Sequence, residues 1–97
     1  MVSLKVIPIL EKYSDNSSKL LKGIRDIDGL EIQLDSDYDN SLNKRVLHSG
    51  TDFHILIGAQ ELEKNKYCVR ARNNTVPLRE VTLQEVIVFL TTACSNL

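Results

Sequence analysis

At 97 residues the chain is long enough for one domain with a single hydrophobic core and little to spare. Apolar residues make up 42% and charged residues 26%, close to the globular average, which excludes disorder as the overall state. A formal net charge of −1 excludes a general nucleic-acid glue.

The charges are nevertheless unevenly placed. Between Lys44 and Arg79 the basic residues Lys44, Arg45, Lys64, Lys66, Arg70, Arg72 and Arg79 outnumber Asp52, Glu61 and Glu63. The remainder is acid-rich, so a local anion-binding face is compatible with an acidic total. Cys68 and Cys94 are too few for a disulfide scaffold and lack the paired spacing of structural zinc. They read as free thiols in a reducing compartment. No apolar run approaches membrane-spanning length and the N-terminus lacks a signal-peptide core, so an intracellular chain is expected.

Leu4 to Leu10 is a β-branched run that predicts the first strand, ending or bending at Pro8. Ser14, Asp15 and Ser17 offer helix caps before Leu20, Leu21, Ile24 and Ile27, an apolar stripe at helical spacing. That predicts a helix over about 17–28, stopped by Gly29. Leu30, Ile32 and Leu34 alternate with Glu31 and Gln33, the pattern of a half-buried strand. An acidic loop over 35–41 leads to a short helix, Leu42 to Leu47, capped by Ser41 and ended by Ser49-Gly50-Thr51.

Phe53 to Ile57 is apolar on both faces and a strand's length, which places it in the middle of a sheet. Residues 60–65 read as a turn. Lys66, Cys68, Arg70 and Arg72 then alternate with Tyr67, Val69 and Ala71, predicting a strand with one buried face and one basic face. Asn73-Asn74 is turn-like, and Pro77 keeps the following residues extended. Thr82 and Glu85 have capping-box spacing and open a last helix with Leu83, Val86, Ile87, Leu90 and Ala93 on one face. Val88 and Phe89 widen that face or form a second one. The close link between the last two strands predicts an antiparallel hairpin, and the earlier strand–helix–strand units predict right-handed parallel crossovers. The expected fold is a small three-layer α/β domain with a mixed sheet, spanning residues 1–97.

Val6-Ile-Pro-Ile, Leu34-Asp-Ser-Asp, Asn40-Ser-Leu-Asn-Lys-Arg, Phe53-His-Ile-Leu-Ile-Gly, Val69-Arg-Ala-Arg-Asn-Asn and Val81-Thr-Leu-Gln-Glu-Val-Ile follow one another in this order. In that order the chain resembles the anticodon-binding domain of class II aminoacyl-tRNA synthetases, above all the C-terminal domain of the threonyl enzyme. The resemblance implies an anticodon-binding-domain-like fold, a mixed five-stranded sheet flanked by three helices. It also implies binding of a tRNA anticodon loop with no catalysis in this chain alone. A non-catalytic part of threonine–tRNA ligase, or a free-standing relative, is the expected identity, in the cytoplasm or in the mitochondrion for an organellar synthetase. Two departures stand out. Leu47 replaces an expected arginine, and the connection from the short helix to Phe53 is shortened.

The resemblance assigns RNA contact to Arg70 and Arg72, and to Glu63, Asn40 and Lys44. Two arginines at i, i+2 on a strand point the same way and can stack on a splayed base or bond its edge and a phosphate. Glu63 can accept from a base amino group, Asn40 can read a base edge or cap the helix, and Lys44 can meet a phosphate. Asp35, Asp37 and Asp39 imitate the start of a calcium loop, but Asn40 and Val46 stand where its Gly and bidentate Glu belong. His48 and His54 lack ligand spacing, so no metal and no cofactor is expected. His54 reads as a hydrogen-bonded interior or edge histidine. The alternative function is a degenerate synthetase-like domain used for protein–protein contact, or for a homodimer through the C-terminal helix, in a regulatory or accessory protein. Leu47, the short connection, the acidic total, Val88 and Phe89 favour it. A third possibility is a small-ligand α/β domain using the crevice at the strand ends.

Overall fold

The computed structural model describes residues 2–47, 50–71 and 80–95. Strand β1 spans Val2–Pro8 and ends at the proline, whose missing N–H cannot continue the ladder. A 3-10 turn at Glu11–Tyr13 leads into α1, Ser14–Ile24. The helix therefore starts and stops earlier than its apolar stripe suggests. The serines do not cap it. Ser17 turns back and donates to the Tyr13 carbonyl at 3.1 Å. Gly29, with φ 82, takes the left-handed turn into β2, Leu30–Leu34.

Helix α2, Leu42–Leu47, and strand β3, Phe53–Ile57, follow as expected. The Ser41 hydroxyl accepts from the Lys44 N–H at 3.4 Å. Residues expected as a turn instead form α3, Ala59–Lys64. Ala, Gln, Glu, Leu and Lys are strong helix formers, and the Glu61 carboxylate accepts the Gly58 N–H at 3.1 Å. Asn65, at φ 54, closes that helix in the left-handed region. Strand β4 is short, Val69–Ala71. Arg72, Asn73, Asn74 and Pro77 lie outside the described residues, as does His48.

The sheet has four strands in the order β2-β1-β3-β4. The pairs β1/β2 and β1/β3 are parallel and β3/β4 is antiparallel. The expected fifth strand is corrected by this order. Among the described residues its place is taken by one bridge, in which Tyr67 and Val81 exchange N–H···O bonds of 2.7 and 2.9 Å. The expected three helices are likewise corrected to four among the described residues, with α4 at Leu83–Ser95.

Leu4, Val6, Ile55, Ile57 and Val69 point to one face of the sheet and pack with Leu20 and Ile24 of α1 and Val86 and Leu90 of α4. Each such side chain contributes about 1.5–3 kcal/mol when fully buried. Phe89 joins this core, edge-on to Phe53 at 5.3 Å, whereas Val88 stays 59% exposed. Because β1→β2 and β2→β3 run in opposite directions along the sheet, right-handed crossovers put α1 and α2 on opposite faces. No helix among the described residues is long and apolar enough to cross a membrane.

The capping box of α4 is formed as its spacing predicts. The Glu85 N–H donates to the Thr82 hydroxyl and the Thr82 N–H to the Glu85 carboxylate, both at 3.3 Å. Thr82→Ala is expected to lower stability by about 1 kcal/mol. Urea unfolding checks this, and an unchanged midpoint would remove the cap from the account of how α4 begins.

Candidate nucleic-acid interface

The sheet face turned away from α1 and α4 carries the charged and polar side chains of the inner strands. Alternation sends Lys5, His54, Cys68 and Arg70 to that face, because Leu4, Val6, Ile55 and Val69 occupy the other. The registers Gln33↔Lys5, Lys5↔His54 and His54↔Arg70 line up one residue from each strand in a row across the whole sheet.

On the Lys5 side of this row lies a hollow of about 380 Å³, lined by Lys5, Asp35, Asp37, Asn40, Lys44 and Arg45. It opens where the parallel strands β1 and β2 end, the usual place for a crevice in an open α/β sheet. Arg45 is built into its wall. Its Nε donates to Asp35 Oδ2 at 2.5 Å, its Nη1 to the Ile9 carbonyl at 3.1 Å and its Nη2 to the Pro8 carbonyl at 2.6 Å. The two side chains are 2% and 7% exposed, and the guanidinium carbon lies 5.3 Å from the Tyr38 ring centre. A fork so fully used has little left for a ligand. Lys5 and Lys44 differ, since neither amine has an ion-pair partner among the described residues. The Asn40 amide donates to Asp37.

On the Arg70 side lies a second hollow of about 400 Å³. Ile9 and Leu56 give it apolar wall, and Cys68, Arg70, Lys66 and Glu61 give it polar atoms. Arg70 is half-buried and forms no ion pair among the described residues, and its buried Nε has no hydrogen-bond partner there. Lys64 and Glu80 pair at 3.4 Å but are both exposed, so that bridge is worth little. Burial, and then Glu80, hold the Cys68 thiol above its usual pKa, which keeps it protonated and unreactive. Burial, and then the Arg70 charge, hold the His54 pKa below its usual value.

The structure thus brings Asn40, Lys44 and Arg70 to the margins of two neighbouring hollows on one face. Glu63 is exposed on α3 and lines neither hollow, and Arg72 lies outside the described residues. His54, expected to be hydrogen-bonded, is buried with both ring nitrogens unpartnered among the described residues. Lys5 and Asp37 were not singled out as contacts from the sequence. Lys5 breaks an apolar strand with a charge at an alternate position, but that signal acquires meaning once its neighbours across the sheet are known.

Residues 4–92 match the family model described as an anticodon binding domain. The chain is 29% identical over 89 residues to the threonine–tRNA ligase catalytic subunit of Sulfurisphaera tokodaii, which covers 89% of this chain and 16% of that protein. It is 30% identical over 89 residues to threonine–tRNA ligase of Nanoarchaeum equitans, covering 89% of this chain and 13% of that one. Among solved structures it resembles the RNA binding domain of threonyl-tRNA synthetase from Cryptosporidium parvum. There the TM-score is 0.81 at 21% identity, over 94% of this chain and 23% of that chain. Prolyl-tRNA synthetase from the same organism gives a TM-score of 0.81 at 14% identity, over 98% of this chain and 21% of that chain. At these identities the structural likeness establishes the fold, and the chain spans a small part of each relative's length. With residues 4–92 matched, the chain belongs to the anticodon binding domain family.

Proposed function

We propose that this domain binds the anticodon loop of a tRNA, either as part of a threonyl-type aminoacyl-tRNA synthetase or as a free-standing relative. Aminoacylation itself is assigned to machinery outside these residues. The observation that carries the reading is a sheet face with two hollows, at which the cations of Lys5, Lys44 and Arg70 have no carboxylate partner among the described residues. Unpaired bases need such a surface: flat guanidinium for stacking and edge bonds, amides for edge reading, and lysines for the intervening phosphates. Arg70 stacks on or bonds one base, Asn40 exchanges its bond with Asp37 for a base edge, and Lys44 meets a phosphate. Arg72 and Glu63 are assigned to the same loop. A cytoplasmic setting is proposed, or a mitochondrial one for an organellar synthetase.

Titration of a threonine-type anticodon stem-loop RNA at low salt tests the proposal. Arg70→Ala is expected to weaken binding about 5- to 100-fold, the range of one lost base contact. Lys44→Ala is expected to weaken it less and to reduce the salt slope by about 0.7 for a single-stranded contact. Equal weak binding by wild type and Arg70→Ala would sink the assignment. Val88, 59% exposed on α4, favours a second reading as a protein contact or dimer surface. A mass that rises with concentration in light scattering, without any RNA binding, would select it.

A further inference from the structure

His54 is 5% exposed, and among the described residues neither ring nitrogen has a hydrogen-bond partner. The Nε of Arg70, directly across from it on β4, is also buried and unpartnered there. Unsatisfied polar groups of this kind are costly and rare in folded proteins. Lys5 is the neighbour of His54 on the other side. Adjacent strands lie about 4.8 Å apart, so two long cationic side chains rise on either side of one imidazole. They are half-buried and their ends can converge above the ring. The row also stands between the two hollows, one lined by Lys5 and the other by Arg70.

We propose that Lys5, His54 and Arg70 jointly seat one backbone phosphate of the bound RNA, between bases held in the two hollows. This rests on the anticodon reading above. A phosphate fits better than a base edge because Lys5 and Arg70, the two neighbours of His54, offer donors alone, whereas a base edge mixes donors with acceptors. The mixed sets, Asn40 with Asp37 and Arg70 with Glu61, lie in the hollows instead. Lys5 and Arg70 make the direct contacts. His54, deeper in the sheet, is a positioning residue whose charge completes the row.

In the free domain burial, and secondly Arg70, keep His54 neutral at pH 7. A phosphate above the ring offsets the Arg70 repulsion and favours the imidazolium, so RNA binding draws a proton from water. Affinity then rises as pH falls through the bound-state pKa of His54 and levels off below its free-state pKa. Asp37, which lines the hollow beside Lys5, accepts from the Asn40 amide. Cys68 stays protonated, Asp35 is held by Arg45, Glu61 accepts from Gly58, and Lys64 pairs with Glu80.

The test is the affinity of the full chain for a threonine-type anticodon stem-loop RNA, measured against pH and salt. Lys5→Gln is expected to reduce the slope of log affinity against log salt by about 0.7. His54→Gln is expected to abolish the pH dependence between about pH 5.5 and 7.5, the range in which histidine titrates. His54→Asn serves if the glutamine variant does not melt as wild type does. An RNA-free arm follows the His54 ring resonances by NMR as inorganic pyrophosphate is added: protonation is expected in wild type and its loss in Lys5→Gln. Wild-type RNA binding that ignores pH, with a salt slope unmoved by Lys5→Gln while Arg70→Ala still weakens binding, overturns this inference and leaves the anticodon reading standing. Absence of RNA binding by wild type overturns the anticodon reading. A His54 ring that ignores pyrophosphate in that case overturns the phosphate seat as well.

Discussion

Arg45→Ala is expected to lower the stability of the domain by about 3–5 kcal/mol, the usual cost of removing one partner from a buried ion pair. Small domains hold about 5–15 kcal/mol in all, so the variant should lose a large fraction of the domain's stability. The reason is local. Without the guanidinium the Asp35 carboxylate loses its ion-pair partner at 7% side-chain exposure, and the Pro8 and Ile9 carbonyls lose their donors. Asp35→Asn should cost less, because the neutral amide leaves those two carbonyl bonds intact. The double variant should cost less than the sum of the singles, as coupled neighbours do. Urea unfolding followed by circular dichroism measures all three. A loss below about 1 kcal/mol for Arg45→Ala would mean that this pair is a surface-like interaction and that β1, β2 and α2 are joined by something else.

Arg45 also marks what the sequence could and could not disclose. It lies among the basic residues counted toward an anion-binding face, yet it is an internal clamp. Nothing in its local spacing says so, because its partners are 10, 36 and 37 residues away. Elements decided by local pattern were legible. Leu30–Leu34, Leu42–Leu47 and Phe53–Ile57 stand where alternation, a serine cap and an apolar run placed them. Elements decided by competition between short-range signals were not. Residues 59–64 are too few to show a helical stripe, and the Glu61 cap on Gly58 tips them into α3.

The candidate site was half legible for the same reason. Alternation alone put Arg70 and Cys68 on one face, and the family likeness added Asn40 and Lys44. The row through Lys5, His54 and Arg70 needs strand order and register, which no local pattern carries. His54 looked like an ordinary interior histidine until its two cationic neighbours were known. The fifth strand failed in the opposite direction. The family likeness implied it, while the described residues of this chain reduce it to the Tyr67–Val81 bridge.

Leu90→Ala is expected to lower stability by about 2–5 kcal/mol through the cavity it leaves, whereas Val88→Ala should stay within about 0.5 kcal/mol of wild type. The two residues lie on one helix two positions apart. Leu90 is 0% exposed, between α1 and the sheet, and Val88 is 59% exposed. The contrast therefore measures the docking of α4 rather than its helical propensity, in which leucine and valine differ by a few tenths of a kcal/mol. It also separates stability from recognition. Because α4 packs on the face opposite the Lys5–His54–Arg70 row, the folded fraction of Leu90→Ala should bind RNA with wild-type affinity once its unfolded fraction is allowed for. Arg70→Ala should behave in reverse, with unfolding changed far less than affinity. Denaturation curves paired with RNA titrations of both variants decide the matter. An RNA affinity of folded Leu90→Ala that falls as far as that of Arg70→Ala would place the binding surface on the helical side of the sheet.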